Sequence, residues 1–345
     1  MSKAPERIEL APGYSIARVI VGCWQLAAGH GGRWERATVL RELEALVDAG
    51  YTTFDCADIY TGVEELLGEL VRRVGSDRIQ VHTKYVPDRS SLADLRAADV
   101  RAAIDRSLAR LGVDRLDLVQ LHWWDWTVPG WSGTAATLES LRREGKIRCL
   151  GVTNTDVEHL RAILDDGVEV VANQVQYSLL DRRPEHGMRA LCAARGLRLL
   201  CYGSLAGGFL GERWRGAPPP AEPLANRSLV KYRLIVEEVG GWDALQALLE
   251  RLAEVAARRG VGPAAAAVRW VLDRPAVGAV IVGAGLRTRL DEMEGLWSLH
   301  WSDEERSTVD AAIPGSPPGD VFDLERVPGG RHTGILRTEL HGEET

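Results

Sequence analysis

Short apolar runs alternate with longer amphipathic segments along most of this 345-residue chain. Eight runs are rich in Val, Ile or Leu at consecutive positions, a pattern typical of strands buried on both faces. These runs are residues 16–23, 52–57, 79–84, 116–122, 149–154, 170–177, 197–202 and 279–283. Alternation of such strands with helices predicts a parallel sheet.

The segments between the runs have the apolar spacing of helices. Residues 35–49 repeat apolar side chains on one face, and Gly50 follows where a helix commonly ends. Asp156 is a candidate N-cap for a later helix. The same helical pattern recurs in residues 100–111, 138–145 and 157–164. Eight strand–helix units favour a closed (β/α)8 TIM barrel, with an open α/β sheet as the alternative.

Two regions interrupt this alternation. Residues 211–241 follow the seventh strand, contain four prolines and are predicted to form a long inserted loop. Residues 314–345 are rich in Gly and Pro and are predicted to form a C-terminal tail that lies near the barrel mouth or is partly disordered. We expect the whole chain, residues 1–345, to form one barrel domain.

The composition limits which kinds of binding partner we expect for this chain. A hydrophobic content of 45% is ordinary, and a net charge of −7 argues against nucleic acid, which needs a basic face. No signal peptide and no apolar stretch of about 18 residues is evident, so we expect a cytoplasmic protein without a membrane span. The five cysteines are scattered and neither Cys nor His has metal-ligand spacing, which predicts reduced thiols and no metal site. Nothing in the charge requires assembly, so a monomer or weak homo-oligomer is expected.

Titratable side chains stand at the ends of successive apolar runs. Asp55 and Tyr60 follow the second run, Lys84 ends the third and His122 ends the fourth. Barrel enzymes carry their reactive groups at the carboxyl ends of the strands, so these side chains should converge on one pocket. Further polar residues at the ends of the fifth and sixth runs are Thr153, Asn154 and Gln174.

These residue types suit the reduction of a carbonyl group. Hydride addition leaves negative charge on the carbonyl oxygen, and Tyr60 can supply the proton that this oxygen needs. The pKa of a free phenol is about 10, and the ammonium of Lys84 would lower it. Asp55 can support that ammonium, while His122 can donate a hydrogen bond to the oxygen. Each residue alone has a commoner structural role, but their succession favours one reactive site.

A resemblance to a known family rests on seven segments. They are FDCADIYTGVEELLGEL, VHTKY, LDLVQLH, GVTN, NQVQYSLL, CYGSLAGGFL and AVIVGAGLRTRLDEM. In order and spacing these segments resemble the signature blocks of the aldo-keto reductase superfamily, in the branch of potassium-channel β subunits and bacterial reductases. The resemblance runs from Val19 to about Ile313 and implies a barrel that reduces carbonyl compounds with a nicotinamide cofactor.

The resemblance also implies roles for individual residues. Its catalytic residues are Asp55, Tyr60, Lys84 and His122, with Tyr60 as the proton donor. Its ligands for the nicotinamide carboxamide are Thr153, Asn154 and Gln174. The nicotinamide ring would stack on Tyr202, and the residues expected along the pyrophosphate are Ser204, Leu205 and Gly207.

A last block, beginning at Gly283, corresponds to the adenosine end of the cofactor. There the resemblance implies that Arg289 contacts the 2′-phosphate of NADPH and that Glu292 binds the adenine amine. Gly285 stands where many relatives have Arg or Ser, and Met293 where Asn is usual. We therefore expect NADPH as the cofactor, with NADH possible.

Eleven tryptophans, against three phenylalanines, suggest an aromatic substrate pocket. Indole rings could line a site for a sugar ring, an aryl group or a polycyclic ketone. The tryptophans predicted to line it are Trp24, Trp123, Trp124 and Trp126. In the segment after the seventh strand, we expect Arg227 or Lys231 to contact the pyrophosphate, the alternative being a solvated loop.

Three functions are consistent with the sequence. The first is an NAD(P)H-dependent aldo-keto reductase acting on a small-molecule aldehyde or ketone. The second is an NAD(P)-linked aldose 1-dehydrogenase, because the same catalytic residues can work in the oxidative direction. The third is a nicotinamide-sensing regulatory subunit, as the resemblance to channel β subunits implies.

Overall fold

Eight parallel strands close into a barrel in the computed structural model, which describes residues 5–27, 34–224, 226–283 and 295–339. Each strand pairs with the next along the chain, and the last closes the barrel against the first. The strands are β3 (Val19–Gly22), β4 (Thr53–Asp55), β5 (Gln80–Tyr85), β6 (Leu116–His122), β7 (Ile147–Thr153), β8 (Val170–Gln176), β9 (Arg198–Tyr202) and β10 (Val277–Gly283). The predicted (β/α)8 barrel is confirmed.

Helices between the strands bury one apolar face against the barrel. Asp156 is the N-cap of its helix, since its side chain accepts a hydrogen bond from His159 N, as the sequence predicts. The helices up to the seventh barrel strand are α1 (Arg36–Asp48), α2 (Val63–Val74), α3 (Ala97–Leu111), α4 (Trp131–Arg143), α5 (Val157–Asp165) and α6 (Met188–Arg195). Those that follow are α7 (Arg227–Glu238), α8 (Gly241–Arg258), α9 (Pro263–Leu272), α10 (Asp303–Ala312) and α11 (Asp323–Arg326).

An antiparallel hairpin, β1 (Arg7–Ala11) and β2 (Tyr14–Ala17), closes the N-terminal end of the barrel. The predicted run 16–23 is therefore not one strand, because it contains the end of β2 and all of β3. Arg18 separates them, and its guanidinium donates to the carbonyl oxygens of Leu272 and Gly278. Two short apolar strands with one residue between them look like one strand in the sequence.

The segment after β9 is not a loop throughout. Its second half forms α7, which Asn226 caps by accepting a hydrogen bond from Leu229 N. The helix buries Tyr232, Ile235 and Val236 against the barrel. The prolines that suggested a loop all precede residue 224, so they end before the helix starts.

The C-terminal segment packs across the carboxyl ends of the strands as far as residue 339. Arg326, at the end of α11, donates to the carbonyl oxygens of Trp123, Trp124 and Asn154 at that end of the barrel. All five cysteines are buried, and none forms a disulfide. Within the described ranges, no helix combines the length and the apolarity needed to cross a bilayer.

Candidate active site

A cavity of about 700 Å³ opens at the carboxyl ends of the barrel strands. Asp55, Lys84 and His122 reach it because each is at or near the end of its strand, and Tyr60 reaches it from the loop after β4. The cavity also contains most of the residues that the sequence assigns to the cofactor. These are Thr153, Asn154, Gln174, Tyr202, Ser204, Leu205, Gly207 and Gly283.

A buried ion pair forms the floor of the cavity. Lys84 Nζ lies 2.6 Å from Asp55 Oδ2 and 2.8 Å from the carbonyl oxygen of Cys56. Burial disfavours the charge of Lys84, but the Asp55 carboxylate outweighs it and raises the lysine pKa above its ordinary value. Asp55 Oδ1 also accepts hydrogen bonds from Gln174 at 2.7 Å and from Gln120 at 3.2 Å. These contacts hold the pair in one geometry.

Tyr60 is the phenol next to this ion pair. Its ring centroid lies 5.1 Å from Lys84 Nζ. Burial raises the pKa of Tyr60 to about 12, although the Lys84 ammonium acts in the opposite direction. The sequence argument considered only the lysine and predicted a lowered pKa, whereas burial is the larger effect here. Tyr60 therefore keeps its proton at neutral pH, as a proton donor must.

His122 is neutral in this site. Burial, reinforced by the nearby Arg326 guanidinium, lowers the pKa of His122 to about 3. Its Nδ1 lies 3.3 Å from the carbonyl oxygen of Thr153. Because a carbonyl oxygen only accepts, this contact places the ring proton on Nδ1. The donor role predicted for His122 needs a proton on Nε2, so this long contact would have to open when a carbonyl group binds.

Aromatic side chains form the walls around these residues. Trp24 packs edge-to-face on Tyr60, with ring centroids 4.7 Å apart, and Trp124 packs on His122 at 4.2 Å. Both are among the tryptophans predicted for the pocket. Trp34 and Phe322 line the cavity as well and were not identified from the sequence. The walls favour a substrate with an apolar or flat surface.

Two of the predicted tryptophans do not line the cavity. Trp123 is fully buried, and its indole nitrogen donates to the carbonyl oxygens of Asp125 and Val128. Trp126 stacks on His159, with ring centroids 4.2 Å apart. Of Trp123, Trp124 and Trp126, only Trp124 lines the cavity.

The rest of the cavity is a groove that suits a dinucleotide. Ser204 is buried, and its hydroxyl has no hydrogen-bond partner among the described residues, although it lines the groove. Arg213 and Arg227 also line the cavity and add positive charge to it. A phosphate group would satisfy the hydroxyl and pair with these cations. Arg289 and Glu292, predicted for the adenosine end, lie outside the described residues.

The comparisons with known proteins agree with this fold. The sequence profile of the Aldo/keto reductase family matches residues 18–314. The chain belongs to the aldo/keto reductase family. It is therefore an oxidoreductase of a family that uses nicotinamide cofactors.

The matches to individual relatives have low sequence identity but cover most of this chain. The chain is 25% identical over 316 residues to the NADH-specific methylglyoxal reductase of Escherichia coli (strain K12), covering 86% of this chain and 94% of that protein. It is 29% identical over 301 residues to flagellar radial spoke protein 5 of Chlamydomonas reinhardtii, covering 68% of this chain but only 56% of that longer protein. The glycerol dehydrogenase AKR11B4 from Gluconobacter oxydans superimposes with a TM-score of 0.77 at 25% identity, covering 91% of this chain and 97% of that one.

Two residues at this aldo/keto reductase site, Phe322 and Arg326, were not identified from the sequence. Phe322 lies 5.5 Å from His122, measured between ring centroids, and Arg326 contacts the backbone of Asn154. Both belong to the C-terminal segment. The sequence offered one signal that this segment belongs to the site: two adjacent charged residues, Glu325 and Arg326, in a tail rich in Gly and Pro. Lys231, predicted from the sequence to contact the pyrophosphate as an alternative to Arg227, lies over the ring of Tyr202, with Nζ 4.8 Å from the ring centroid.

Proposed function

We propose that this enzyme reduces an aldehyde or ketone to an alcohol with NAD(P)H and that Tyr60 donates the proton. The observation that carries the proposal is the Tyr60 phenol beside the buried Lys84–Asp55 pair, at the floor of an open cavity. A neutral phenol next to a fixed ammonium is suited to give up a proton when negative charge develops nearby.

The chain's own residues account for the proton and for the orientation of the substrate. The nicotinamide, when bound, supplies the hydride. Lys84 stabilises the phenolate that remains after Tyr60 has given its proton, and Asp55 keeps the lysine charged and in place. His122 directs the carbonyl oxygen toward the phenol once its Nε2 carries the proton. Trp24 and Trp124 exclude water from the reacting oxygen, which strengthens each of these electrostatic interactions.

The groove determines how the cofactor would be held. Asn154 and Gln174 would bind the carboxamide, while Tyr202 would stack on the ring. Ser204 and Arg227 would hold the pyrophosphate, with the N-terminus of α7 adding a favourable helix dipole. We propose NADPH as the preferred cofactor on the strength of Arg289. NADH remains the alternative, because one relative of the chain is an NADH-specific reductase.

Titration of tryptophan fluorescence with NADPH and with NADH tests the cofactor step, since Trp24 and Trp34 line the cavity. A panel of aldehydes and ketones, assayed by loss of the reduced cofactor's absorbance, then tests the reaction. We expect saturable quenching and consumption of cofactor only when a carbonyl compound is present. Absence of quenching with either dinucleotide contradicts the proposal at its first step.

A second candidate is oxidation of an alcohol or an aldose with the oxidised cofactor. It is favoured by the structural neighbour described as a glycerol dehydrogenase. The same residues serve this direction, because Tyr60 as phenolate would accept the proton that it otherwise donates. The ratio of kcat/KM for polyols and aldoses to that for carbonyl compounds, measured at one pH, decides between the two directions.

A further inference from the structure

Three buried charged residues and the half-buried Lys231 lie beside the cofactor groove, and we call them the tail cluster: Asp181, Arg183, Lys231 and Glu325. Arg183 bridges the two carboxylates, at 2.7 Å from Asp181 Oδ2 and 2.8 Å from Glu325 Oε2. Lys231 Nζ lies 3.9 Å from Glu325 Oε1. Two positive and two negative groups offset each other, which is what allows them to be buried. The tail cluster connects α7 and α11 to the segment after β8.

Lys231 also faces the groove, where it begins a chain of hydrogen bonds. Its Nζ lies 3.4 Å from Tyr202 Oη, and Tyr202 Oη lies 2.8 Å from Asn154 Oδ1. An ammonium can only donate, so the Tyr202 oxygen accepts from Lys231 and its proton is directed to Asn154. Burial and the nearby Glu325 carboxylate raise the pKa of Tyr202 well above its ordinary value, so the phenol retains this proton.

This direction determines which way the Asn154 amide points. With Oδ1 engaged by Tyr202, the amide nitrogen is left to donate to whatever occupies the groove. No hydrogen bond from that nitrogen is present within the described part of the chain. The backbone of Asn154 is held as well, because Arg326 Nη2 donates to its carbonyl oxygen at 2.7 Å. Asn154 has φ 54°, a left-handed conformation that asparagine adopts more readily than most residues.

We propose that Lys231 and Arg326 are positioning residues that fix Asn154 for the carboxamide of the cofactor. The tail cluster holds Lys231 through Glu325, and Arg326 is the next residue of the same short helix. The C-terminal segment thereby sets the affinity for the nicotinamide half of the cofactor and not for the adenosine half. This inference rests on the proposed function, which places the carboxamide at Asn154.

Two ligands separate this role from a merely structural one. One is the dinucleotide that the wild-type enzyme binds, and the other is the matching fragment without nicotinamide, ADP-ribose or its 2′-phosphate. Lys231→Met removes the ammonium and keeps the aliphatic stem. We expect it to weaken dinucleotide binding about five- to tenfold, the loss of roughly one hydrogen bond, and to leave binding of the fragment unchanged. Isothermal titration calorimetry measures both dissociation constants.

Arg227→Gln is the matched control. Arg227 lies one turn before Lys231 on α7, and we expect it to contact the pyrophosphate. The substitution should weaken binding of the dinucleotide and of the fragment by the same factor. If Lys231→Met leaves both affinities unchanged or weakens both equally, the inference is overturned. If the wild-type enzyme binds no dinucleotide, the proposed function fails instead, so the two failures are distinguishable.

A double-mutant cycle tests whether Lys231 acts through Tyr202. Tyr202→Phe removes the hydroxyl that links Lys231 to Asn154 and keeps the ring. If the chain of hydrogen bonds is the route, the double variant should bind the dinucleotide no more weakly than Tyr202→Phe alone. Losses that simply add would exclude this route.

Arg326 is tested by graded substitution. Arg326→Met should weaken dinucleotide binding while sparing the fragment, and Arg326→Lys should restore part of the affinity because it keeps one donor near Asn154. A weakened affinity for the fragment in Arg326→Met, with no recovery in Arg326→Lys, would show that Arg326 only holds the tail in place.

Discussion

The two ends of the barrel each hold a tyrosine beside a cation, but only one of these tyrosines faces a cavity. At the N-terminal end, the Tyr14 ring lies 4.6 Å from Arg148 Cζ and its hydroxyl lies 3.1 Å from His82 Nε2. At the carboxyl end, the Tyr60 ring lies 5.1 Å from Lys84 Nζ and lines the cavity. The local pairing of phenol and cation is therefore similar at both ends.

The difference lies in what covers each phenol. The β1–β2 hairpin fills the N-terminal end, so Tyr14 is only 2% exposed. Burial, with a contribution from Asp117, raises the pKa of Tyr14 well above its ordinary value. At the carboxyl end, α7 and the C-terminal segment are among the described elements that line a cavity of about 700 Å³. A tyrosine beside a cation becomes a candidate acid only where a ligand can reach it.

The largest effect on kcat should come from removing the hydroxyl group of Tyr60, and removal of the hydroxyl group of Tyr14 is the comparison. We expect Tyr60→Phe to lower kcat about 100- to 10,000-fold, the usual contribution of a positioned acid, while cofactor affinity stays the same. Tyr14→Phe should leave kcat unchanged and lower the free energy of unfolding by about 1 kcal/mol. Steady-state kinetics and urea unfolding measure the two quantities. Wild-type turnover in Tyr60→Phe would rule it out as the proton donor.

Replacing the cation beside each tyrosine should lower the free energy of unfolding by different amounts at the two ends. Lys84→Met leaves the Asp55 carboxylate buried without its partner and should lower the free energy of unfolding by about 3 to 5 kcal/mol. Arg148→Met, whose guanidinium is only partly buried, should cost less than about 1 kcal/mol. Urea unfolding of both variants tests this, and equal losses would contradict the distinction between the ends.

A methyl group added at each end tests how tightly each cover is packed. Gly207 has φ 65°, and a Cβ there would lie 2.6 Å from Tyr232 Cδ2 on α7. Gly207→Ala should therefore lower the free energy of unfolding by about 2 to 4 kcal/mol and weaken cofactor binding by displacing α7. Gly13→Ala, in the hairpin, is the control, because its φ is 70° with no atom within 4 Å of the added Cβ. It should cost only about 1 kcal/mol of backbone strain.

The most gradual effect concerns pH and one histidine at each end. Burial lowers the pKa of both His82 and His122 to about 3, whereas an unfolded chain's histidine titrates near about 6.5. Below about pH 6.5 the unfolded state binds protons that the native state does not. Stability should therefore fall with decreasing pH, by on the order of 1 kcal/mol per pH unit for each histidine, until pH approaches about 3.

Urea unfolding at pH 7 and pH 5 measures this slope. His82→Gln should make the slope shallower without changing kcat, whereas His122→Gln should change both. A slope that neither substitution alters would mean that carboxylates and not these histidines govern the acid sensitivity.

The barrel and the core of the site could be predicted from the sequence alone. Buried strands have a local signature of consecutive apolar residues, and eight of them between helices leave few alternatives to a closed barrel. Because parallel strands all end at one face, Asp55, Lys84 and His122 could be brought together from their positions at strand ends. Trp24 and Trp124 also lie in the cavity wall, as predicted from their proximity to such ends.

The segments that cover the two ends could not be predicted from the sequence. The sequence did not separate β2 from β3, did not find α7 behind its prolines and did not choose Trp124 over Trp123 or Trp126. Nor did it join Phe322 and Arg326 to His122 and Asn154, from which they are far apart in the chain. Local periodicity reports which face of an element is buried. It does not report which distant segment buries it, because that depends on packing among residues that are neighbours only after folding.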